Sequence, residues 1–419
     1  MIINNHGHRS FLRYAFAWMC LAALAVPAPA AGMPEGVLAG GRVSGQLRYR
    51  YEWVDQEGIS KKANALTRRT QLGYLTGGYH GFSAFLQVED VRIVDSGRYN
   101  STVNGLTKFP VVADPVSTEV NQAYLGYKGL PGVTLSLGRQ TIAYDNHRFI
   151  GDVGWRQNQQ TFDSFTVAYT AVPKTTISVA HVANANRIFS RKHPTLSDVE
   201  LRGEFLNIAY KGFKPGTVSG YGYFLDYAPG QPFPGTASNK TLGLRFDGAT
   251  GISGGKLLYT GEYARQSGYK GAAAAVDADY GYGMLGAEYA GVQAKFNYER
   301  LSGDGGYALQ TPFATLHAHN GWADKFLVTP LDGLVDQFWS LGAKPGPVSL
   351  LAACHDYSSD NKGYSYGREL NLLASWNVIK QLTLLTKYAA YDGSSAAVAR
   401  NPALAKNVDK IWVQLDFQF

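Results

Sequence analysis

Apolar and polar residues alternate, one by one, along the segment from Gly41 to Val54. One face of this segment carries apolar and aromatic side chains, namely Val43, Leu47, Tyr49, Tyr51 and Trp53. The other face carries polar side chains, namely Arg42, Ser44, Gln46, Arg48, Arg50 and Glu52. A face with several charges cannot pack into a dry core without partners, whereas it suits water. The pattern therefore predicts a β-strand with one face towards lipid and one towards water.

The C-terminal segment repeats this alternation. Its apolar positions are Ile411, Val413, Leu415, Phe417 and Phe419, and they alternate with Trp412, Gln414, Asp416 and Gln418. A terminal strand that ends on an aromatic residue resembles the last strand of outer-membrane barrels. This resemblance implies that Phe419 is read by the barrel-assembly machinery, although a soluble β-sandwich could end in the same way.

Sixteen further segments have the composition and alternation of strands. They lie near 65–76, 81–92, 118–128, 133–143, 161–170, 175–183, 202–212, 217–227, 239–248, 255–265, 279–289, 292–300, 334–344, 347–357, 367–377 and 381–391. With the two end segments they make eighteen, an even number, as single-chain bacterial barrels require. The predicted fold is all-β, a single antiparallel transmembrane β-barrel of eighteen strands, with a count that could be off by two.

The connections between these segments alternate in length. Tight turns rich in glycine and proline are predicted at 76–79, 128–132, 211–216 and 344–347. Longer connections are predicted at 93–117, 143–160, 184–201, 228–238, 266–278 and 301–333. Short periplasmic turns and long extracellular loops are typical of outer-membrane barrels.

The N-terminus has the features of a secretory signal. Arg9 and Arg13 precede an apolar run from Tyr14 to Val26, and Ala28-Pro29-Ala30 supplies a cleavage pattern of small residues. The apolar run is short for a membrane span, which needs about 20 residues, so a membrane anchor is the less favoured interpretation. We therefore expect residues 1–30 to be a cleaved signal peptide and residues 31–419 to form a barrel in the outer membrane of a Gram-negative bacterium.

Composition is consistent with a barrel and adds a hint about its cargo. The chain has 48 glycines and 27 tyrosines, and charged residues make up only 17% of it. Tyrosine suits the two membrane interfaces, and glycine suits turns and crowded strands. Loss of Arg9 and Arg13 with the signal peptide takes the formal charge from +7 to +5. A modestly basic channel indicates anionic cargo.

Two segments carry a family resemblance. The first runs from Leu137 to Asp163 and reads LGRQTIAYDNHRFIGDVGWRQNQQTFD. The second runs from Thr311 to Leu327 and reads TPFATLHAHNGWADKFL. Together they resemble the alginate-export family of outer-membrane β-barrel porins. The resemblance implies an 18-stranded barrel and, for the founding member, export of alginate, an anionic polyuronate. Many relatives carry the domain outside any alginate pathway, so the family predicts the fold better than the cargo.

An anionic polymer that crosses a wide barrel needs cationic groups along the wall. The candidate pathway residues are Arg48, Arg50, Arg69, Arg139, Arg148, Arg156, Lys295 and Arg300. The planar guanidinium of arginine matches a sugar carboxylate with two parallel hydrogen bonds. The alternative is that these cations form ordinary lumenal salt bridges with Glu52, Glu89, Glu119, Asp145, Asp163, Glu299 and Asp304.

The long connection 301–333 contains aromatic residues that would be poorly placed on an exposed surface. One hypothesis is a constriction loop folded into the lumen, with Phe313, His317, Trp322 and Lys325 as its candidate residues. The other is a loop packed over the barrel mouth. The sequence leaves both open.

Other functions are weaker. His317 and His319 have a spacing that could bind a metal, but no acidic or cysteine partner falls at a matching spacing. Asp163, Ser164, His355 and Asp356 could be combined into a Ser-His-Asp set, as in any chain of this length, and no G-x-S-x-G elbow is present.

The sequence therefore predicts a channel for anionic carbohydrates or small organic acids, with alginate-like polyuronate as one candidate. The alternatives are a general diffusion porin and a non-conducting structural or adhesive barrel. No enzyme activity, cofactor or nucleic-acid partner is expected. Outer-membrane lipid and lipopolysaccharide are the expected surroundings.

Overall fold

The chain forms one closed antiparallel sheet of eighteen strands. A computed structural model describes residues 36–231, 237–272 and 275–419. The predicted signal peptide, residues 1–30, and the predicted first barrel residue, Ala31, lie outside the described residues. Among the described residues, no helix has the length and apolar character needed to cross a membrane.

The strands follow one another around the barrel in chain order. Their bounds are β1 (Arg42–Gln56), β2 (Ala63–Leu75), β3 (Phe82–Ile93), β4 (Ser117–Tyr127), β5 (Val133–Gln140), β6 (Thr161–Tyr169), β7 (Thr175–Asn186), β8 (Asp198–Phe213), β9 (Gly216–Tyr227), β10 (Asn239–Ile252), β11 (Gly255–Gly268), β12 (Asp277–Tyr289), β13 (Val292–Leu301), β14 (Leu334–Ala343), β15 (Val348–Ser358), β16 (Ser365–Ile379), β17 (Leu382–Gly393) and β18 (Val408–Gln418). A short helix α1 (Gly36–Ala39) precedes them, and 3₁₀ turns lie at Leu316–Ala318 and Ser395–Ala397.

The first and last strands close the barrel. β1 pairs with β18 from Gln46 opposite Gln418 to Gln56 opposite Val408, and β1 also pairs with β2. Because every strand then has two neighbours, the sheet has no free edge. The predicted fold class and the strand count of eighteen are both confirmed.

Connection lengths divide the barrel into two ends. One end carries short turns, such as 214–215, 253–254 and 290–291, and it also holds the start of β1 and the end of β18. The other end carries long loops, including 94–116, 141–160, 302–333 and 394–407. We assign the short turns to the periplasm and the long loops to the extracellular side, the usual arrangement in such barrels. The 394–407 loop was not singled out by the sequence pattern.

The alternation along each strand separates an outer from an inner face. On β18, Ile411, Val413 and Leu415 are exposed, whereas Trp412 and Gln414 are buried. The exposed apolar side chains form the band that faces lipid. The buried ones face the lumen, where long loops cover them.

Candidate functional site in the barrel lumen

Two long loops fold inwards and pack against each other inside the barrel. They are the 141–160 loop between β5 and β6 and the 302–333 loop between β13 and β14. Ile150 and Phe313 form a parallel β-bridge, and the amide of Gly151 donates to the carbonyl of Phe313 at 2.8 Å. The amide of Thr315 donates to the carbonyl of His147 at 3.0 Å. These contacts join the two loops into one unit.

One side of the lumen holds these loops with charged groups. We call it the ionic wall, made of Arg48, Arg50, Glu52, Arg69, Lys387, Lys410, Trp412 and Asp416. These residues come from β1, β2, β17 and β18, which are consecutive around the closed barrel. All of them are buried, so the loops and the wall together exclude most water from these charges.

Arg156 of the 141–160 loop is the centre of this network. Its guanidinium lies 3.0 Å from Glu52 Oε2, 3.1 Å from Asp324 Oδ2 and 3.8 Å from Asp114 Oδ2. Burial alone would lower the pKa of Arg156, but the three carboxylates outweigh it and hold the pKa above its ordinary value. One loop cation thus joins β1, the 94–116 loop and the 302–333 loop.

Trp155 lies beside Arg156 and spans the closing strands. The Arg50 guanidinium of β1 stacks 4.0 Å from the Trp155 ring centre and donates to the Trp155 carbonyl. Trp412 of β18 makes an edge contact with the same ring, at 6.0 Å between ring centres. His317 stacks on Trp155 at 4.6 Å. The indole therefore links both closing strands to both inward loops.

His317 lies between the carboxylate of Asp324 and the ammonium group of Lys387. Its Nδ1 lies 2.7 Å from Asp324 Oδ1, and its Nε2 lies 2.8 Å from Lys387 Nζ. The Lys387 ammonium can only donate, so Nε2 accepts, and Nδ1–H is left to donate to Asp324. Burial, followed by the charge of Lys387, keeps the pKa of His317 well below its usual range. A neutral imidazole fits both contacts.

Asp324 stays ionised in this setting. Its Oδ2 also lies 2.6 Å from Lys410 Nζ. Burial alone would raise the pKa of Asp324, but Lys410, His317 and Arg156 outweigh it and hold the pKa well below the usual range. Lys387 completes the cluster by lying 3.6 Å from the Trp322 ring centre and 4.1 Å from that of Trp155.

The opposite side of the lumen holds the loops with rings. We call it the aromatic wall, made of Phe205, Tyr221, Tyr223, Tyr227 and Tyr280. Phe149 of the 141–160 loop lies 5.3 Å from both Tyr221 and Tyr280, between ring centres. Phe313 of the 302–333 loop lies 6.3 Å from Tyr227 and is almost fully buried.

A buried ion pair lies next to the aromatic wall. The Arg148 Nε lies 2.8 Å from Glu299 Oε1 of β13, and Arg148 Nη2 donates to Asn320 Oδ1 at 3.0 Å. His319 is in the same region. Burial, followed by the charge of Arg148, lowers the pKa of His319 to about 3.

Below the loops, the periplasmic half of the lumen has a polar lining that also includes charged side chains, among them Asp247, Lys256 and Glu288. Its partly exposed side chains include Ser44, Gln46, Gln87, Ser136, Thr166, Ser178, Thr260, Gln293, Lys295 and Ser340. Hydroxyls and amides dominate this lining, which we call the periplasmic vestibule. Lys295 on β13 has no salt bridge within the described ranges.

Arg48 and Arg69 lie where the ionic wall meets the vestibule. They are directly opposite each other in the pairing of β1 with β2. Arg48 is paired with Asp416 at 2.8 Å. Arg69, by contrast, donates to neutral acceptors, the Arg156 carbonyl at 3.1 Å and the side-chain oxygen of Gln46. The guanidiniums of Arg48 and Arg69 therefore have only one carboxylate, that of Asp416, bonded directly to either of them.

The structure corrects two predicted pathway residues. Arg139 lies opposite Asp163, and the next pair along, Gln140 with Phe162, faces inwards because Phe162 contacts Phe313. Arg139 therefore points outwards and bonds Asp163 at 2.7 Å. Arg300 follows the inward-facing Glu299, so it also points outwards, where it pairs with Asp360. Both lie on the outer face at the extracellular end.

The other predicted residues lie in the lumen or at its extracellular mouth. Arg48, Arg50, Arg69, Arg148 and Arg156 are buried there rather than open to water. Phe313, His317 and Trp322 belong to the 302–333 loop. Lys325 lies instead at the extracellular mouth, where it donates to the carbonyls of Ala403 and Lys406.

Sequence reasoning missed several residues of the ionic wall. Lys387 and Lys410 lie on the polar faces of β17 and β18, and that alternation was the available signal. Trp155 and Asp114 lie in loops, where no periodic pattern marks them. His317 and His319 contact different groups, and no cluster of three or more metal-ligating side chains occurs in residues 36–231, 237–272 and 275–419.

Solved structures that resemble this fold include proteins of Pseudomonas aeruginosa and Acinetobacter baumannii. Pseudomonas aeruginosa OccK9 (OpdG) has a TM-score of 0.71 and 15% identity, over 92% of this chain and 100% of that one. Pseudomonas aeruginosa OpdK, solved with vanillate, has a TM-score of 0.70 and 11% identity, over 92% and 100%. Acinetobacter baumannii OccAB4 has a TM-score of 0.70 and 11% identity, over 90% and 98%. At these identities the likeness concerns the fold alone.

A comparison with curated protein sequences finds no significant match. The family model described as alginate export, however, matches residues 42–315, which include β1 to β13, the whole 141–160 loop and the first part of the 302–333 loop. The closed eighteen-stranded barrel is the fold expected of this family. Because the family model covers more than half of the sequence, the chain belongs to the alginate-export family of outer-membrane β-barrel channels.

Proposed function

We propose that this protein is an anion-preferring channel for carboxylated sugars or small organic acids in the outer membrane of a Gram-negative bacterium. The observation that carries the proposal is the pair of arginines, Arg48 and Arg69, at the edge between the ionic wall and the vestibule. Only one carboxylate, that of Asp416, bonds this pair directly. Both guanidiniums are buried beneath the loops, so their charge attracts a passing anion through its positive potential rather than by direct contact.

The surroundings of this pair support small carboxylated solutes. Gln46 and Gln71 lie beside the arginines on the lumenal faces of β1 and β2, and the vestibule below is lined by hydroxyls and amides. Such groups can exchange hydrogen bonds with sugar hydroxyls without trapping them. Vanillate, with which OpdK was solved, is an aromatic carboxylate. Alginate-like polyuronate is the polymeric member of the same chemical class.

Reversal potentials across a salt gradient test the proposal. The unmodified barrel in a planar bilayer should prefer anions, and the preference should weaken with added salt, since charges are screened over about 10 Å at 0.1 M. Replacing Arg48→Gln and Arg69→Gln together should reduce the preference. Arg265→Gln, on the outer face, is the matched control. Cation preference in the unmodified channel would overturn the anionic-cargo proposal.

Blocking experiments separate the cargo classes. Galacturonate should interrupt the current more than galactose, a neutral sugar of equal size, and oligomers of mannuronate should act at lower concentration if polyuronates are the cargo. Vanillate serves as the small-acid probe. Equal block by galacturonate and galactose would favour a general diffusion porin. A barrel without measurable conductance would favour a structural or adhesive function.

A further inference from the structure

The outer face of the barrel differs between its two ends. Towards the periplasm it is dominated by apolar and aromatic side chains, such as Val43, Phe82, Tyr127, Tyr169, Tyr259, Tyr289, Trp376 and Phe417. Towards the extracellular side it carries charged side chains, including Arg68, Asp90, Arg92, Arg139, Asp163, Arg265, Asp277, Arg300 and Arg368. The charges therefore lie at the level of the outer leaflet's head groups.

One pair of these charges has the same sign. Arg68 of β2 and Arg92 of β3 are direct partners in the strand register, so their side chains share one spot on the outer face. Like charges directly opposite each other destabilise a sheet unless an anion lies between them. Asp90 supplies part of that charge, at 3.3 Å from Arg68 Nη2 and 2.7 Å from Arg92 Nη2.

The charge balance at this spot is incomplete. Two guanidiniums share the carboxylate of Asp90, and Thr118 accepts a further hydrogen bond from Arg92 at 2.8 Å while its hydroxyl donates to Asp90 at 2.6 Å. The Nε of Arg68 is buried and has no hydrogen-bond partner among the described residues. Both arginine side chains are open to the surroundings, with 36% and 45% of their surfaces exposed.

Other arginines of the outer face are balanced one to one. Arg265, Arg300 and Arg368 each bond a carboxylate of their own, from Asp277, Asp360 and Asp356 respectively. The Arg68–Arg92 pair therefore differs from these in its surplus of positive charge. Below it, Leu72, Leu86 and Val88 are exposed on the same face and belong to the apolar band.

We propose that Arg68, Arg92 and Thr118 form a binding site for a phosphate group of lipopolysaccharide. A phosphate monoester carries a charge of about −1.5 to −2 and three acceptor oxygens, so it can bridge both guanidiniums. The apolar band directly below would contact the acyl chains of the same molecule. Clustered basic residues at a membrane surface are typical of phosphorylated lipid recognition. The site is separate from the lumen, so the proposal does not depend on the cargo.

Native mass spectrometry of the full barrel, purified in detergent, tests the proposal. The probes are Kdo₂-lipid A, the same lipid without its phosphates, and phosphatidylglycerol. We expect the unmodified protein to retain Kdo₂-lipid A most strongly. Arg68→Gln with Arg92→Gln should weaken that retention about tenfold, the effect of losing one charge-assisted hydrogen bond of ordinary strength. Arg265→Gln should leave it unchanged.

A second variant works in the opposite direction. Asp90→Asn removes the competing carboxylate, so it should strengthen retention of Kdo₂-lipid A, and this result does not require the double variant to fold. Heat-modifiable migration on gels confirms folding of each variant. Equal retention of the dephosphorylated lipid would overturn the proposal, as would equal retention of phosphatidylglycerol. No change in either variant would also overturn it.

Discussion

The two inward loops are fastened to opposite walls of the lumen by different chemistry. The ionic wall lies around the closing strands β1 and β18, and the aromatic wall lies around β9, halfway round the barrel. On the ionic wall, Arg156 bonds Glu52 and Asp324. On the aromatic wall, Phe149 and Phe313 pack among tyrosines and phenylalanines. The same two loops therefore have one attachment that depends on charge and one that depends on contact area.

This difference determines how each attachment fails. A buried ion network is stable only when complete, because removing one partner leaves its neighbours charged and without compensation. An aromatic cluster loses stability in proportion to the surface and volume removed. The ionic wall should therefore be sensitive to single substitutions of charge, and the aromatic wall to substitutions of size.

The largest expected effect comes from breaking the ionic wall at its centre. Arg156→Met keeps the side chain's bulk but leaves Glu52, Asp114 and Asp324 near one another without their shared cation. We expect a loss of about 3–5 kcal/mol in the free energy of unfolding, measured by urea titration of the refolded barrel. Arg265→Gln, which breaks an exposed pair, should cost less than about 1 kcal/mol. A similar cost for both would contradict the comparison.

A slightly smaller effect is expected on the aromatic wall. Phe313→Ala removes an almost fully buried ring from contacts with Phe162 and Tyr227. We expect a loss of about 3 kcal/mol, at the low end for a buried phenylalanine because the loop can relax into the lumen. The loss should be the same in low and high salt. A cost that falls with salt would mean that charge, rather than packing, holds this side.

The smallest expected effect is a dependence of the free energy of unfolding on pH. His319, beside Arg148, Glu299 and His147, has its pKa lowered to about 3 by burial and by Arg148. The unfolded chain binds a proton near pH 6.5 and the folded one does not, so stability falls as the pH drops below about 6.5. We expect a loss of about 2 kcal/mol at about pH 5, seen by urea titration. His319→Gln should reduce this dependence, and the remainder should come from His317.

The ionic wall has a buried histidine of the same kind and should respond in two stages. The pKa of His317 is held well below its usual range by burial and by Lys387, so this side also loses stability as the pH falls below about 6.5. The pKa of Asp324 is held well below its usual range by Lys410 and His317 against the effect of burial. Its contribution is present above the ordinary pKa of a carboxyl and is lost as the pH falls towards its folded value. Mild acid should therefore destabilise both sides through their histidines, and stronger acid should add the loss of the Asp324 contribution on the ionic side. A stability that does not change between about pH 7 and pH 5 would contradict the neutral state of both histidines.

The sequence predicted the barrel well because alternation is a local property. Each strand repeats it, so the eighteen segments could be found one by one. The same alternation also indicates which way two of the arginines point. Arg139 follows Leu135 and Leu137 on the same face, and Arg300 follows Phe296 and Tyr298. Both arginines continue an apolar face past the end of the membrane, and so they point outwards.

The lumenal site could not be predicted in the same way. Its contacts join residues that are far apart in the sequence, such as Arg156 with Glu52 and with Asp324. No periodic pattern marks Trp155, His317 or Asp114, because loops have none. The sequence supplied the residue types and the family resemblance, whereas the direction of the loops, and hence the burial of Arg50, depends on the assembled barrel.

Trp155 has a consequence for how the barrel can exchange material with the membrane. Its ring is fixed to β1 through Arg50 and contacts β18 through Trp412, so the junction of first and last strands is clasped from inside. Lateral release of a hydrophobic molecule between β1 and β18 would first require Trp155 to leave its contacts with Arg50 and Trp412. The β1–β18 junction is therefore closed to lateral passage while Trp155 keeps these two contacts.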